Sequence, residues 1–197
     1  MLGSNGADKS TLIKIITQLL QPDSGKVELF YDPKTDLSIM PQENVLIDTL
    51  KVSEQLQLEA AIDQVYDEWK IDALLEKFNL KQQAKLAIKK LSGGQKRRLL
   101  LWLTLIKPSK FFIFDEPTAG MDLKTIDFFW QQLDHINSTV LTTTHDFNQI
   151  DKYFSRVVLL KDGQIAQNVN VDEIHQHHQT IEQWYRHFND GKETNND

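Results

Sequence analysis

FFIFDEPTAG, residues 111–120, decides the reading of this chain, together with LSGGQKRR at residues 91–98. Four consecutive large apolar residues, Phe111, Phe112, Ile113 and Phe114, predict a strand buried on both faces. Asp115 and Glu116 follow at its C-terminal tip, and Pro117 stops it. In open α/β sheets the ligand sits beyond the carboxyl ends of the strands. Two adjacent acids there point to a metal ligand and a general base, because burying both charges for structure alone is costly.

Upstream, Ser92 is a good N-cap for a helix so rich in apolar residues (Leu99, Leu100, Leu101, Trp102, Leu103, Leu105, Ile106) that it is expected to be largely buried. Downstream, Ile126, Phe129, Trp130 and Leu133 mark an amphipathic helix, and residues 139–143 read as a strand ending just before His145. Residues 156–161 and 164–169 flank Asp162-Gly163, a hairpin signal. Residues 171–188 are expected to form one C-terminal helix, and 191–197 a polar, disordered tail. Residues 26–31 alternate and predict a strand, with a short strand end at Ile39-Met40. From Val45 through Leu91 there is neither Gly nor Pro, and apolar residues recur at helical spacing: Leu56, Ala60, Val65, Ile71, Leu74, Leu75 and Phe78. This texture predicts a helical insertion in an α/β core.

The chain has 197 residues, 40% of them hydrophobic, enough for one α/β domain. A formal charge of −6 argues against nonspecific nucleic-acid binding, and no nucleic acid is expected as a partner. The absence of cysteine excludes disulfides and thiol chemistry. No apolar run reaches the roughly 18 residues that span a bilayer, and no signal-peptide pattern is present, so a soluble or peripheral protein is expected. His175, His177 and His178 read as a solvated helix face rather than a metal site, and Lys96, Arg97 and Arg98 as a surface face. Trp69, Trp102, Trp130 and Trp184 read as core or interface.

GSNGADKST, residues 3–11, opens the chain. Gly3, Lys9 and Ser10 match G-x-x-x-x-G-K-[ST] at three of its four fixed positions, and a helix follows with Leu12, Ile15, Ile16, Leu19 and Leu20 at helical spacing. Such a loop turns successive backbone N–H groups and a helix N-terminus toward phosphate. The departure is Asp8, where the pattern has glycine. Asp tolerates the left-handed backbone better than most residues, so conformation is the softer objection. Charge is the harder one. At about 4 Å and an effective dielectric of 20, two like charges repel by about 4 kcal/mol.

Taken together, these segments resemble the nucleotide-binding domain of ABC transporters. GSNGADKST resembles the family's Walker A, Gln42 in MPQEN its Q-loop, and LSGGQ its signature. FFIFDE resembles Walker B with the catalytic glutamate, AGMD (residues 119–122) the D-loop, and TTTHD (residues 142–146) the switch histidine. The order agrees, and the resemblance covers nearly the whole chain. It implies a P-loop NTPase α/β core with a mainly parallel sheet and an inserted helical subdomain carrying the signature. The core would be residues 1–44 and 107–170, the subdomain 45–106 and the C-terminal helix 171–190, all within one domain of residues 1–190.

The resemblance also implies roles. Gly3, Ser4, Asn5, Gly6, Ala7, Asp8, Lys9, Ser10 and Thr11 would cradle ATP. Lys9 would reach the β- and γ-phosphates. Ser10 and Gln42 would ligate Mg²⁺, with Asp115 holding it through water. Glu116 would be the general base and His145 would steady the γ-phosphate. Ser92, Gly93, Gly94 and Gln95 would face ATP on a second nucleotide-binding subunit, with Asp122 coupling the two sites. A transmembrane permease subunit is the other implied partner, at the cytoplasmic face of the membrane. The function implied is ATP-driven transport in the manner of exporter-type members. Soluble family members acting in translation or DNA repair typically carry tandem cassettes or long coiled coils, and neither is present here.

The chain departs from the family in one further way. Members carry about 25–30 residues before the phosphate loop in the usual βαβ layout, and here Met1 and Leu2 precede it. The strand feeding the loop is expected to be missing, leaving neighbouring strands unpaired and apolar surface exposed. With Asp8, this opens an alternative: a degenerate, non-hydrolysing domain that serves as a binding or interaction module.

Overall fold

The computed structural model describes residues 1–63 and 68–190. The expected tail at 191–197 and Val65 lie outside the described residues, as does the side chain of Trp69. The chain is α/β and divides into two compact units, Met1–Val27 with Thr143–Asp197, and Glu28–Thr142.

In the second unit, β1 (Leu37–Met40) pairs in parallel with β2 (Phe111–Asp115), and β3 (Thr139–Thr143) is the next strand of the same sheet. The strand expected from the apolar run is present. Phe112, Ile113 and Phe114 are buried, as a strand covered on both faces requires. Around it pack α4 (Gly93–Leu105) and α5 (Leu123–Leu133). Phe114 meets Phe129 edge-on with ring centroids 5.4 Å apart, a favoured aromatic geometry. α2 (Val52–Ile62) and α3 (Glu68–Lys77) also belong to this unit, with short 3₁₀ turns at Lys81–Gln83 and Ile88–Lys90. Phe78 stacks on Trp102, and Leu56, Leu80 and Ile88 are fully buried beside the chain's other large core residues. Trp102 and Trp130 are core residues, as expected.

The first unit is built on a hairpin, β4 (Arg156–Lys161) and β5 (Gln164–Asn170). Its turn residues Asp162 and Gly163 both have positive φ, 50° and 71°, the conformation an Asp-Gly hairpin turn demands. Leu2 joins β4 as a single parallel bridge: its N–H donates to Val158 O (2.8 Å) and its carbonyl accepts from Leu160 N (2.8 Å). Leu2, Ile150, Val157, Leu159, Val171, Ile174, Ile181 and Trp184 form this unit's core. α1 (Lys9–Ile16) and α6 (Phe147–Tyr153) belong to it.

Two expected elements differ. Residues 26–31 form no strand, and Phe30 is 97% exposed. Alternation alone does not make a strand; its backbone groups need a neighbouring ladder, and none pairs with it among the described residues. The expected single helix over 171–188 is two, α7 (Val171–Gln176) and α8 (Ile181–Asp190). His178 at the break has φ 55°, and Thr180 starts α8 with a capping box: Thr180 N donates to Gln183 Oε1 (3.0 Å) and Gln183 N to Thr180 Oγ1 (3.2 Å). The T-x-x-Q spacing was the signal for that restart.

Candidate nucleotide site

The first unit carries the loop of residues 3–11. Gly3 is required sterically, since a Cβ there would lie 2.6 Å from Leu160 O. Gly6 turns the loop at φ 82°. Asp8 occupies the N-cap of α1 at φ 64°, ψ 26°, so the substituted position adopts the left-handed backbone that glycine would take. Its carboxylate makes no cap bond to the helix backbone and instead accepts from Thr11 Oγ1 (3.3 Å). The negative charge is therefore exposed on the loop itself. Lys9 folds over the same loop, donating from Nζ to Gly3 O (2.8 Å) and Ser4 O (3.1 Å). His145 lies on the exposed turn that leads into α6, where Asp146 N donates to Thr144 Oγ1 (3.0 Å).

The second unit carries the acids, the glutamine and the signature. The β1–β2 register pairs Met40 with Phe114. Parallel strands in this register end side by side, so Gln42 and the Asp115-Glu116 pair leave the sheet at the same carboxyl end. Gln42 is exposed on the turn after β1. Glu116 has φ 45°, an uncommon conformation for a residue with a branched-free but bulky side chain, and its carbonyl accepts from Ala119 N (3.2 Å).

Ser92 caps α4 in a reciprocal box, accepting at Oγ from Gln95 N (3.3 Å) while Ser92 N donates to Gln95 Oε1 (2.9 Å). The cap uses the serine hydroxyl as an acceptor, which leaves its proton to donate elsewhere. Ser92 and Gly93 are exposed, and a Cβ on Gly93 would meet open space. Gly94 sits over the start of α5: a Cβ there would lie 3.4 Å from Thr125 Oγ1 and 3.5 Å from Asp122 Oδ2. Asp122 caps α5, accepting from Thr125 N (2.9 Å). The Thr125 hydrogen bonds, first among the influences, hold its carboxyl below the usual range.

Arg97 corrects the sequence reading. It is not simply a solvated surface residue. Its Nη1 donates to Pro41 O (3.0 Å) and its Nη2 to Glu116 O (3.0 Å). Burial lowers its pKa, opposed by the negative charge of Asp115. Sequence offered no signal for this, because both acceptors are backbone carbonyls far away in the chain. Lys96 pairs with Asp48 (2.8 Å). The histidine cluster is exposed as expected, with His175 Nε2 2.7 Å from Asp151 Oδ1. Among the described residues, no group of three or more His, Cys, Asp or Glu could hold a metal ion, and no helix is long and apolar enough to cross a membrane.

The family model for ABC transporters matches residues 1–119. The chain belongs to the ABC transporter family. It is 35% identical over 179 residues to a phospholipid-transporting ATPase, ABCA3, of Mus musculus, covering 84% of this chain and 10% of that protein. It is 28% identical to the daunorubicin resistance ATP-binding protein DrrA3 of Streptomyces coeruleorubidus, covering 88% of this chain and 60% of that one. The chain thus spans about a tenth of the length of the first of these relatives. Among solved structures, an ATP-binding subunit of an ABC transporter superposes with a TM-score of 0.86 at 24% identity, covering 95% of this chain and 86% of that one. A bacterial ABC transporter cassette solved as a dimer superposes with a TM-score of 0.75 at 26% identity, covering 86% and 83%. These superpositions agree with a P-loop NTPase fold.

Proposed function

We propose that this chain is the ATP-binding part of an ABC exporter, using ATP binding and hydrolysis to drive a transmembrane permease from the cytoplasmic face of the membrane. The observation that carries the reading is the β1–β2 register, which delivers Gln42 and Asp115-Glu116 to one end of a sheet. Related cassettes have been solved as dimers, one of them in a post-hydrolysis state bound to ADP and Pi. In this reading the loop of residues 3–11 holds the phosphates and Lys9 exchanges its bonds to Gly3 O and Ser4 O for phosphate oxygens. Glu116 takes a proton from water as the water oxygen attacks the γ-phosphorus; the β–γ bridging P–O bond breaks, giving ADP and inorganic phosphate. His145 steadies the γ-phosphate. The exposed Ser92 hydroxyl, with its proton uncommitted, donates to ATP on a second subunit, alongside Gly93, Gly94 and Gln95, and Asp122 links the two sites.

The Ser10 hydroxyl, the Gln42 amide oxygen and the Asp115 carboxylate are hard oxygen donors. They suit Mg²⁺, which takes one or two carboxylates plus substrate phosphates rather than an all-protein cage. When bound, the ion neutralises charge on the phosphates.

One observation favours a second reading, a domain that binds nucleotide weakly and serves as an interaction module. The Asp8 carboxylate is exposed on the phosphate loop. Mg²⁺-dependent ATP turnover by the purified chain, its Asp8→Gly variant and Asp8→Gly/Glu116→Gln decides between them. The transporter reading expects turnover in Asp8→Gly, and a loss of about 10²–10⁴-fold on adding Glu116→Gln with ATP binding retained. No turnover in Asp8→Gly overturns the enzyme reading and favours the module.

A further inference from the structure

The Arg97 guanidinium is half-buried and spans two loops that the sequence places far apart. One nitrogen bonds the carbonyl that immediately precedes Gln42, and the other bonds the carbonyl of Glu116 itself, each at 3.0 Å. Both acceptors are main-chain oxygens, so the bonds set backbone position rather than pair charge. The Glu116 peptide has φ 45°, where an L-residue is strained, and such a conformation persists only when its surroundings over-determine it. Burying a guanidinium is costly unless its hydrogen bonds are made. A flat fork with donors in fixed directions can serve two carbonyls at once, which a lysine ammonium on a flexible stem does less well.

We propose that Arg97 is a positioning residue that locks the Pro41-Gln42 turn and the strained Glu116 peptide into one geometry, so that the glutamine and the glutamate move as one body. Arg97 lies in the second turn of α4, the helix that Ser92 caps. A displacement of the signature end of α4 is therefore carried by one side chain to both loops. The consequence for catalysis rests on the proposed reading of Gln42 and Glu116; the clamp itself does not.

Hydrogen–deuterium exchange of the unliganded chain tests the clamp, with Arg97→Gln and Arg97→Lys against the parent. Arg97→Gln is expected to speed exchange about fivefold or more in both residues 42–46 and 116–121, including the Ala119 amide that donates to Glu116 O. The α8 amides are expected to stay unchanged. Arg97→Lys, which is the milder change if Arg97→Gln does not fold, is expected to release one of the two segments more than the other. Unchanged exchange in both segments, or release of one alone in Arg97→Gln, overturns the proposal. The second arm places Arg97→Lys in the Asp8→Gly background, where kcat is expected to fall about tenfold with KM for Mg-ATP within twofold. Equal kcat overturns the positioning role. A parent with no turnover sinks the nucleotide reading alone, and the exchange arm still judges the clamp.

Discussion

Asp8 shows how one residue separates conformational from electrostatic fitness. Its backbone is left-handed at φ 64°, a region open to glycine and better tolerated by aspartate than by most residues. The charge remains. With about 4 kcal/mol as the upper bound for repulsion at close range, Asp8→Gly is expected to raise Mg-ATP affinity by as much as about a thousandfold. Asp8→Asn, which removes the charge and keeps a residue tolerant of positive φ, is expected to recover most of that gain. Isothermal titration with both variants checks the argument, and a gain in the glycine variant alone would assign the defect to the backbone instead. Asp8 was legible in the sequence because a motif with fixed positions exposes a single substitution. Arg97 was not. Its acceptors lie 56 and 19 residues away and carry no side-chain signature, since any residue's carbonyl would do.

At the scale of elements, chemistry with local partner groups is legible at the signature helix and at the hairpin turn. Ser92 caps α4 through a bond three residues on, and Asp162-Gly163 makes the hairpin turn within its own two residues. Ser92→Ala is expected to cost about 1 kcal/mol through the lost cap, measurable as a lower urea midpoint. Ser92→Asp, which keeps an acceptor at the cap, is expected to restore the stability while adding a charge unfavourable to a partner's phosphate. A stable Ser92→Asp with unimpaired ATP-dependent dimerisation would remove Ser92 from the proposed interface. The two misread elements differ in cause: residues 26–31 depend on what lies beside them, whereas the restart at Thr180 carries a local T-x-x-Q signal. Residues 26–31 have a strand's alternation and no ladder, and residues 171–188 have a helical pattern interrupted by a backbone reversal at His178.

At the scale of the whole molecule, each unit has its own core. In the first, Leu159 is fully buried among Ile150, Val157, Ile174 and Trp184. Leu159→Ala is expected to destabilise by about 2–5 kcal/mol, a large share of the roughly 5–15 kcal/mol that holds a domain folded. Thermal melts followed by tryptophan fluorescence read the loss, and a shift under about 1 kcal/mol would contradict the packing assigned to this hairpin. The amino-acid sequence by itself determined the buried strand with its two terminal acids, the capped signature helix, the glycine-containing loop with its aspartate, and the family. Each of these is written in residues adjacent along the chain or at short fixed spacing, where periodicity, capping and turn chemistry act. Only the tertiary structure decided that β1 and β2 end in register, that Gly94 rests on the cap of α5, that Glu116 is held at positive φ, and that Arg97 reaches both loops. Those outcomes depend on which distant backbone groups packing brings within hydrogen-bond reach, and no local pattern encodes them.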